Sequence, residues 1–198
     1  MTPARPHYTI IDFETTQSSD GLRAVEVAIV RADGDGAVSS TSLLLNPGCR
    51  IDGISQSIHG IDNSMVRGQP CFADAWPGLL SLLDGQLLIA HNASFDAGVL
   101  RTELQRHGFN APRVEWLCSC RMAKRLWPAL GCHKLGYLAR EFGLPGTNSH
   151  RAEADALLTQ ALVAHGLREL EAREPGKQPA EHLRAYARIA LVKAWPFA

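Results

Sequence analysis

An α/β fold, a mixed sheet of five strands flanked by helices, is what this sequence predicts, and three observations carry it. Extended segments come first, near 8–13, 24–32 and 38–46. The last two are joined by Asp33-Gly34-Asp35-Gly36, a strong hairpin turn. Two short apolar segments, near 86–90 and 114–117, then alternate with helical stretches. A meander followed by strands separated by helices gives a mixed sheet with helices packed on it.

Each element has a local reason. Tyr8 to Ile11 is an apolar run that ends at a carboxylate, Asp12. Gln86-Leu87-Leu88-Ile89-Ala90 reads as a buried strand, and Phe95 to Arg106 reads as the helix after it. Helices are expected near 73–83, 95–107, 119–127, 133–142 and 150–171. In the last of these, Ala154, Leu157, Leu158, Ala161, Leu162 and Leu167 form the expected apolar stripe. Asn148-Ser149 offers chemistry to cap its start. Glu174-Pro175-Gly176-Lys177-Gln178-Pro179 breaks the chain. The expected division is therefore a domain over 7–173, then a linker and helical tail over 174–198. The tail carries an amphipathic helix, about 180–193, and ends in Trp195-Pro196-Phe197.

Composition sets the outer limits. The 198 residues make one domain's worth of chain, enough to bury a full core. No apolar signal segment begins the chain, and no apolar run is long enough to span a membrane. Five scattered cysteines, at 49, 71, 118, 120 and 132, fit reduced thiols, so a cytoplasmic protein is expected. Cys118, Cys120, Cys132 and His133 leave a zinc site as an alternative, although their spacing is not that of a standard finger. Lys+Arg 20 against Asp+Glu 20 gives zero net charge and no global basic field to attract nucleic acid. An enzyme whose metals neutralise phosphate locally remains compatible with that balance.

The chemistry concentrates in three islands. In Asp12-Phe13-Glu14-Thr15-Thr16, strand alternation points Asp12 and Glu14 the same way and Phe13 into the core. Two adjacent carboxylates on one face repel each other unless a cation lies between them. Hard oxygen donors select Mg²⁺ or Mn²⁺ over zinc. The alternative is a strand running into an acidic, solvated turn. In His91-Asn92-Ala93-Ser94-Phe95-Asp96, Asp96 falls in the first turn of a helix after a strand end, where ligands gather in open α/β sheets. Asn92 or Ser94 can cap that helix. A helix-start acid favoured by the macrodipole is the plainer reading. In His150-Arg151-Ala152-Glu153-Ala154-Asp155, the histidine is roughly 140° from the aspartate around an ideal helix. Both can face one site only if His150 belongs to the loop or the first turn. From there its imidazole suits proton removal near neutrality.

The three motifs, in this order and over about Tyr8 to Leu167, resemble the DEDDh exonucleases, a family that includes the proofreading epsilon subunit of bacterial DNA polymerase III. His59-Gly60-Ile61, and His133-Lys134-Leu135 ahead of Phe142-Gly143-Leu144-Pro145, agree with it. The resemblance implies a ribonuclease H-like fold and 3′→5′ hydrolysis of nucleic-acid ends to nucleoside 5′-monophosphates. Two Mg²⁺ or Mn²⁺ ions would be held by Asp12, Glu14, Asp96 and Asp155, with His150 as general base. Phe13, Thr15, Thr16, His59, Asn92 and Phe95 would shape the terminal-nucleotide pocket. Single-stranded DNA 3′ ends are the expected substrate and a DNA polymerase is a candidate partner. An enzyme acting on RNA ends or short oligoribonucleotides is the alternative, and a non-catalytic binding module a more distant one. The chain departs from many relatives in having Gln17 where they have glycine after the paired threonines.

Overall fold

The computed structural model describes residues 8–32, 38–145 and 150–188. Strands β1 (Tyr8–Ser18), β2 (Gly21–Ala32), β3 (Val38–Leu44), β4 (Leu87–Ala90) and β5 (Glu115–Cys118) form one sheet, in the order β3-β2-β1-β4-β5. The first three pair antiparallel, while β4 runs parallel to both β1 and β5. The mixed sheet expected from the sequence is therefore present. Its hairpin turn at 33–36 lies outside the described residues, but Ala32 pairs with Val38 across it.

Helices α3 (Phe72–Leu83) and α4 (Ser94–His107) cover one face of the sheet. Helices α5 (Ser119–Leu126), α7 (Ala152–Arg173) and α8 (Pro179–Ala187) cover the other. Helix α6 (Leu135–Glu141) packs against α7. Strand alternation separates the two cores. Ile11 and Phe13 join Trp76, Leu100, Leu104 and Trp116, whereas Tyr8 and Ile10 join Met122, Ala156 and Val163.

Two short helices, α1 (Gly53–His59) and α2 (Asn63–Val66), were not legible in the pattern. Asp52 caps α1 by accepting from the Ile54 and Ser55 amides, and Asp62 caps α2 in the same way. Gly60, at φ 72°, ends α1 in the left-handed region. The apolar residues of α1, Ile54 and Ile58, face solvent, so no buried stripe betrays the helix.

Helix α7 differs from expectation in its rotation. Leu157 is exposed, and Ala154, Ala161 and Leu167 are only half-buried. The buried face instead runs through Ala152, Asp155, Ala156, Thr159, Val163, Gly166 and Leu170. Small residues win because α7 lies close to its neighbours: a Cβ on Gly166 would come within 2.8 Å of Met122 Cε. Leu158 and Leu162 pack sideways against Leu135 and Leu138 of α6. This rotation turns Asp155 inward. Helix α8 also ends earlier than expected. Arg188 leaves it with ψ 135° and forms an antiparallel bridge to Leu117. Trp195 and Phe197 lie outside the described residues.

One irregularity organises the sheet. The β1–β2 register shifts between Glu14 and Thr15, so that Glu14 faces Glu26 while Thr15 faces Ala24. The extra residue, Val25, is a β-bulge. The Ala24 amide at the bulge donates to Glu103 Oε1 of α4 at 2.9 Å. Glu103 is 3% exposed and also pairs with Arg106 at 2.9 Å. Glu103→Ala is expected to destabilise the protein by ~1–3 kcal/mol, because a buried amide loses its acceptor. Urea unfolding of the two proteins measures this, and an unchanged midpoint would count against the anchor.

Candidate active site

Strand β1 delivers Asp12 and Glu14 on the face covered by α7. One turn into α7, Asp155 meets them: one oxygen from each of the three carboxylates lies within 4.8 Å of the others. Asp155 Oδ1 is buried and has no hydrogen-bond partner. Asp96, in the first turn of α4, is 2% exposed, and its Oδ1 accepts from the Phe13 amide at 3.2 Å. Asp96 is thus tied to β1 at the residue between Asp12 and Glu14, outside the tight trio.

The electrostatics follow from this crowding. Burial first, and then Asp96, Glu14 and Asp155, push the Asp12 carboxyl well above the usual carboxylate range. Burial, Asp155 and Glu26 raise Glu14 to about 8, opposed by Arg151. Burial also raises Asp96, while the Phe13 amide pulls it down. Asp155 is raised by burial, with His150 acting in the opposite sense. Crowded carboxyls raised in this way, one of them with a buried oxygen that has no partner, fit a divalent cation. All the donors are hard oxygens, which suit Mg²⁺ or Mn²⁺.

His150 belongs to the loop just ahead of α7, which begins at Ala152 and not at 150. Its side chain is exposed, and its backbone is left-handed at φ 48°. This is the loop placement the sequence required for His150 and Asp155 to serve one site. The capping residues expected for that helix, Asn148 and Ser149, lie outside the described residues.

The expected pocket residues divide sharply. Phe95 is 41% exposed, and Asn92 is exposed with φ 67°. The Asn92 carbonyl accepts from the Phe95 amide at 2.9 Å. Neither Asn92 nor Ser94 caps α4: Ala93 holds that position, without a side-chain bond. The Phe13 ring is in the core, leaving only its backbone at the site. Thr16 is fully buried, and its hydroxyl exchanges two 2.9 Å bonds with Asp52. His59 closes helix α1, and it is 4% exposed. Its Nδ1 accepts from the Ile61 amide at 3.0 Å, so Nε2 carries the proton and donates to the Thr15 carbonyl at 3.2 Å. Thr16 and His59 therefore shape the strand exit by pinning α1 to it. Gln17 joins the same arrangement, its amide donating to Asp52 Oδ2 at 2.9 Å.

Several contributors escaped the sequence reading. Asp52 organises the strand exit, and its carboxyl lies below the usual range because Ser55, Gln17 and Thr16 donate to it. His91 bridges Ser119 Oγ and the His133 carbonyl, both at 2.9 Å, and burial lowers its pKa to about 4. Glu26 is 2% exposed and binds Arg151. A lone charge inside the apolar run Val25-Glu26-Val27 was the available signal for it. Among the described residues the cysteines are free, and Asp12, Glu14 and Asp155 form the only group with metal-ligand spacing.

A sheet of this order, with carboxylates converging from one strand end and two flanking helices, defines a ribonuclease H-like nuclease domain. The family model described as Exonuclease, RNase_T, matches residues 9–163. The chain belongs to that family, whose relatives are DEDD-type 3′→5′ exonucleases and whose members use divalent metal ions. The 3′-5′ exonuclease DinG of Bacillus subtilis (strain 168) is 30% identical over 168 residues, 84% of this chain and 18% of that protein. The DNA polymerase III subunit epsilon of Aquifex aeolicus (strain VF5) is 27% identical over 164 residues, 82% of this chain and 81% of that protein. A solved structure, Exonuclease X in complex with 5′ overhanging duplex DNA, matches with TM-score 0.67 at 29% identity, covering 90% of this chain and 98% of that one. The chain spans less than a fifth of DinG and of the PolC-type polymerases it also matches, at 18%, 11% and 12% of their lengths.

The raised carboxyls make stability depend on pH. Folded Glu14 keeps a proton that the unfolded chain releases near 4.5, its ordinary value, and gives it up only near 8. The associated stability is complete below the unfolded value and is lost as pH rises through the folded one. In chelator, the melting temperature should therefore fall between about pH 5 and about pH 9. Mg²⁺ should restore it at the alkaline end, since a ligand of the native state stabilises by mass action. A flat or rising profile in chelator would refute this account of the site.

Proposed function

We propose that this chain hydrolyses single-stranded DNA from a free 3′ end, releasing one nucleoside 5′-monophosphate at a time. The observation that carries the reading is the convergence of Asp12, Glu14 and Asp155, with Asp96 beside them and His150 at the rim. Binding alone would not require that many buried acids. The relative named a DNA polymerase III subunit and the neighbour bound to duplex DNA favour DNA as substrate, and the former extends the proposal to a polymerase partner.

Asp12, Glu14 and Asp155 would hold one divalent ion, and Asp12 with Asp96 a second. Such ions, when bound, lower the pKa of water and offset the charge that builds on phosphate. His150 takes the proton from the attacking water through a neutral imidazole nitrogen. The water oxygen bonds to phosphorus while the bond from phosphorus to the 3′ oxygen of the preceding nucleotide breaks. That oxygen gains a proton and becomes the new 3′ hydroxyl. Glu14 accepts from the terminal hydroxyl, and Asn92 and Phe95 border the terminal nucleotide. A groove of about 420 Å³, whose lining includes Asp20, Leu22, Phe95, Arg101 and Thr102, is the candidate path for the strand.

The test is digestion of matched DNA and RNA oligonucleotides carrying free or phosphorylated 3′ ends, with Mg²⁺ or chelator. Loss from the free DNA end in Mg²⁺ supports the reading. Cuts in a circular strand, or full activity in chelator, would refute it, and a preference for RNA would redirect it to RNA ends. Asp12→Ala should remove nearly all hydrolysis while leaving a folded protein, as circular dichroism alongside the assay would report.

His150→Ala separates base chemistry from metal binding. General-base assistance is typically worth about 10²–10⁴-fold. Single-turnover cleavage at saturating Mg²⁺ should fall by that order, while calorimetry finds metal affinity little changed. Cleavage at the wild-type rate, or loss of metal binding, would show that the imidazole has another role.

A further inference from the structure

We propose that Glu26 and Arg151 act as a positioning pair that fixes the start of α7 and so aims both Asp155 and His150 at the metal site. The proposal rests on the nuclease reading for the role of His150, but its effect on metal binding stands independently.

The geometry is a fork. Arg151 Nη2 donates to Glu26 Oε1 at 2.6 Å, and Arg151 Nε donates to Glu26 Oε2 at 3.0 Å. Glu26 Oε2 also accepts from the Ala152 amide at 2.9 Å. Arg151 occupies the capping position of α7 yet makes no capping bond with its own side chain. Glu26, 125 residues away on β2, does that work, satisfying a free amide and placing a negative charge at the positive end of the helix. One fully buried carboxylate thus holds the first two positions of the helix start.

Both neighbouring site residues hang on this point. The Asp155 amide donates to the Arg151 carbonyl at 3.0 Å, so the first helical bond of α7 runs from the anchored residue to the metal ligand. On the other side, His150 adopts φ 48°. A left-handed conformation is strained for a residue with a Cβ. Such strain persists where the surroundings over-determine it, and the clamped Arg151 is the next residue. Glu26 is also the cross-strand partner of Glu14. The strand that places one metal ligand therefore carries, on its neighbour, the group that places another. A guanidinium suits this post because its planar fork meets a carboxylate in two parallel bonds, which an ammonium cannot do.

The experiment uses the full chain with Glu26→Gln, Arg151→Lys and Arg151→Ala. Arg151→Ala leaves a buried carboxylate without its partner, so it risks misfolding. The other two keep a polar pair, and melting temperature with circular dichroism defines the folded fraction. Mn²⁺ binding is read by calorimetry on each folded variant. Turnover of a single-stranded DNA oligonucleotide in Mg²⁺ is separated into kcat and KM. Groups that orient metal ligands are typically worth 10–100-fold in affinity or activity. Glu26→Gln and Arg151→Lys should each weaken Mn²⁺ binding and lower kcat by that order, with KM changed by less than about threefold. The double variant should be little worse than the worse single, since the two residues work as one unit. A merely structural role would lower the melting temperature while leaving Mn²⁺ affinity and kcat per folded molecule intact, and that result overturns the proposal. If the wild-type chain binds Mn²⁺ but cleaves no oligonucleotide, the nuclease reading fails while the Mn²⁺ comparison still decides the positioning pair.

Discussion

Mutual repulsion among carboxylates is the constraint around which this molecule is arranged. Asp12, Glu14 and Asp155 crowd together in a half-buried cleft, with Asp96 fully enclosed beside them. Each is pushed away from ionisation by burial and, for Asp12 and Glu14, by its neighbours. No local interaction would bring them together. The sheet and two helices must hold them there, and the free energy that compensates comes from the apolar cores on either face. A divalent cation would remove the same repulsion, so the arrangement that weakens the metal-free fold is the one that would favour a metal there.

Strand β2 does the holding, and the bulge at Val25 lets it reach both helices. On one side of the bulge, Ala24 offers its amide to Glu103 and secures α4, the helix of Asp96. On the other, Glu26 secures α7, the helix of Asp155. Each contact is a buried carboxylate accepting from a backbone amide and carrying an arginine partner. Buried ionic groups contribute little net stability, but removing one member leaves the other uncompensated. Their value here is geometric: two helices are locked to one strand, and the catalytic strand β1 runs beside it.

The exit of β1 is built on similar lines. Asp52 collects the Thr16 hydroxyl, the Gln17 amide and the first turn of α1, while His59 holds the Thr15 carbonyl. The polar side chains of Thr16 and His59 thus bond the protein itself. Exposed nearby are Asn92, Phe95 and the groove along α4. Recognition through main chain and aromatic faces suits a strand end of any sequence. With zero net charge the chain has no global basic field.

The sequence by itself determined the order of the strands and longer helices and the shared face of Asp12 and Glu14, and it set the condition for His150, a place in the loop or first turn. These are short-range matters: a period of two along a strand, and an angle around a helix. It missed α1 and α2, whose apolar residues face outward, and it misjudged the rotation of α7, where close packing favours alanine and glycine over leucine. It named Thr16 and His59 only through a resemblance, and gave no sign that they bond Asp52, the Ile61 amide and the Thr15 carbonyl. Only the tertiary structure decided that Asp96 binds the Phe13 amide and that Glu26 binds Arg151. Those pairs span 83 and 125 residues. A carboxylate's partner is chosen by which amides and guanidinium groups the packed sheet brings within reach, and no local pattern encodes that.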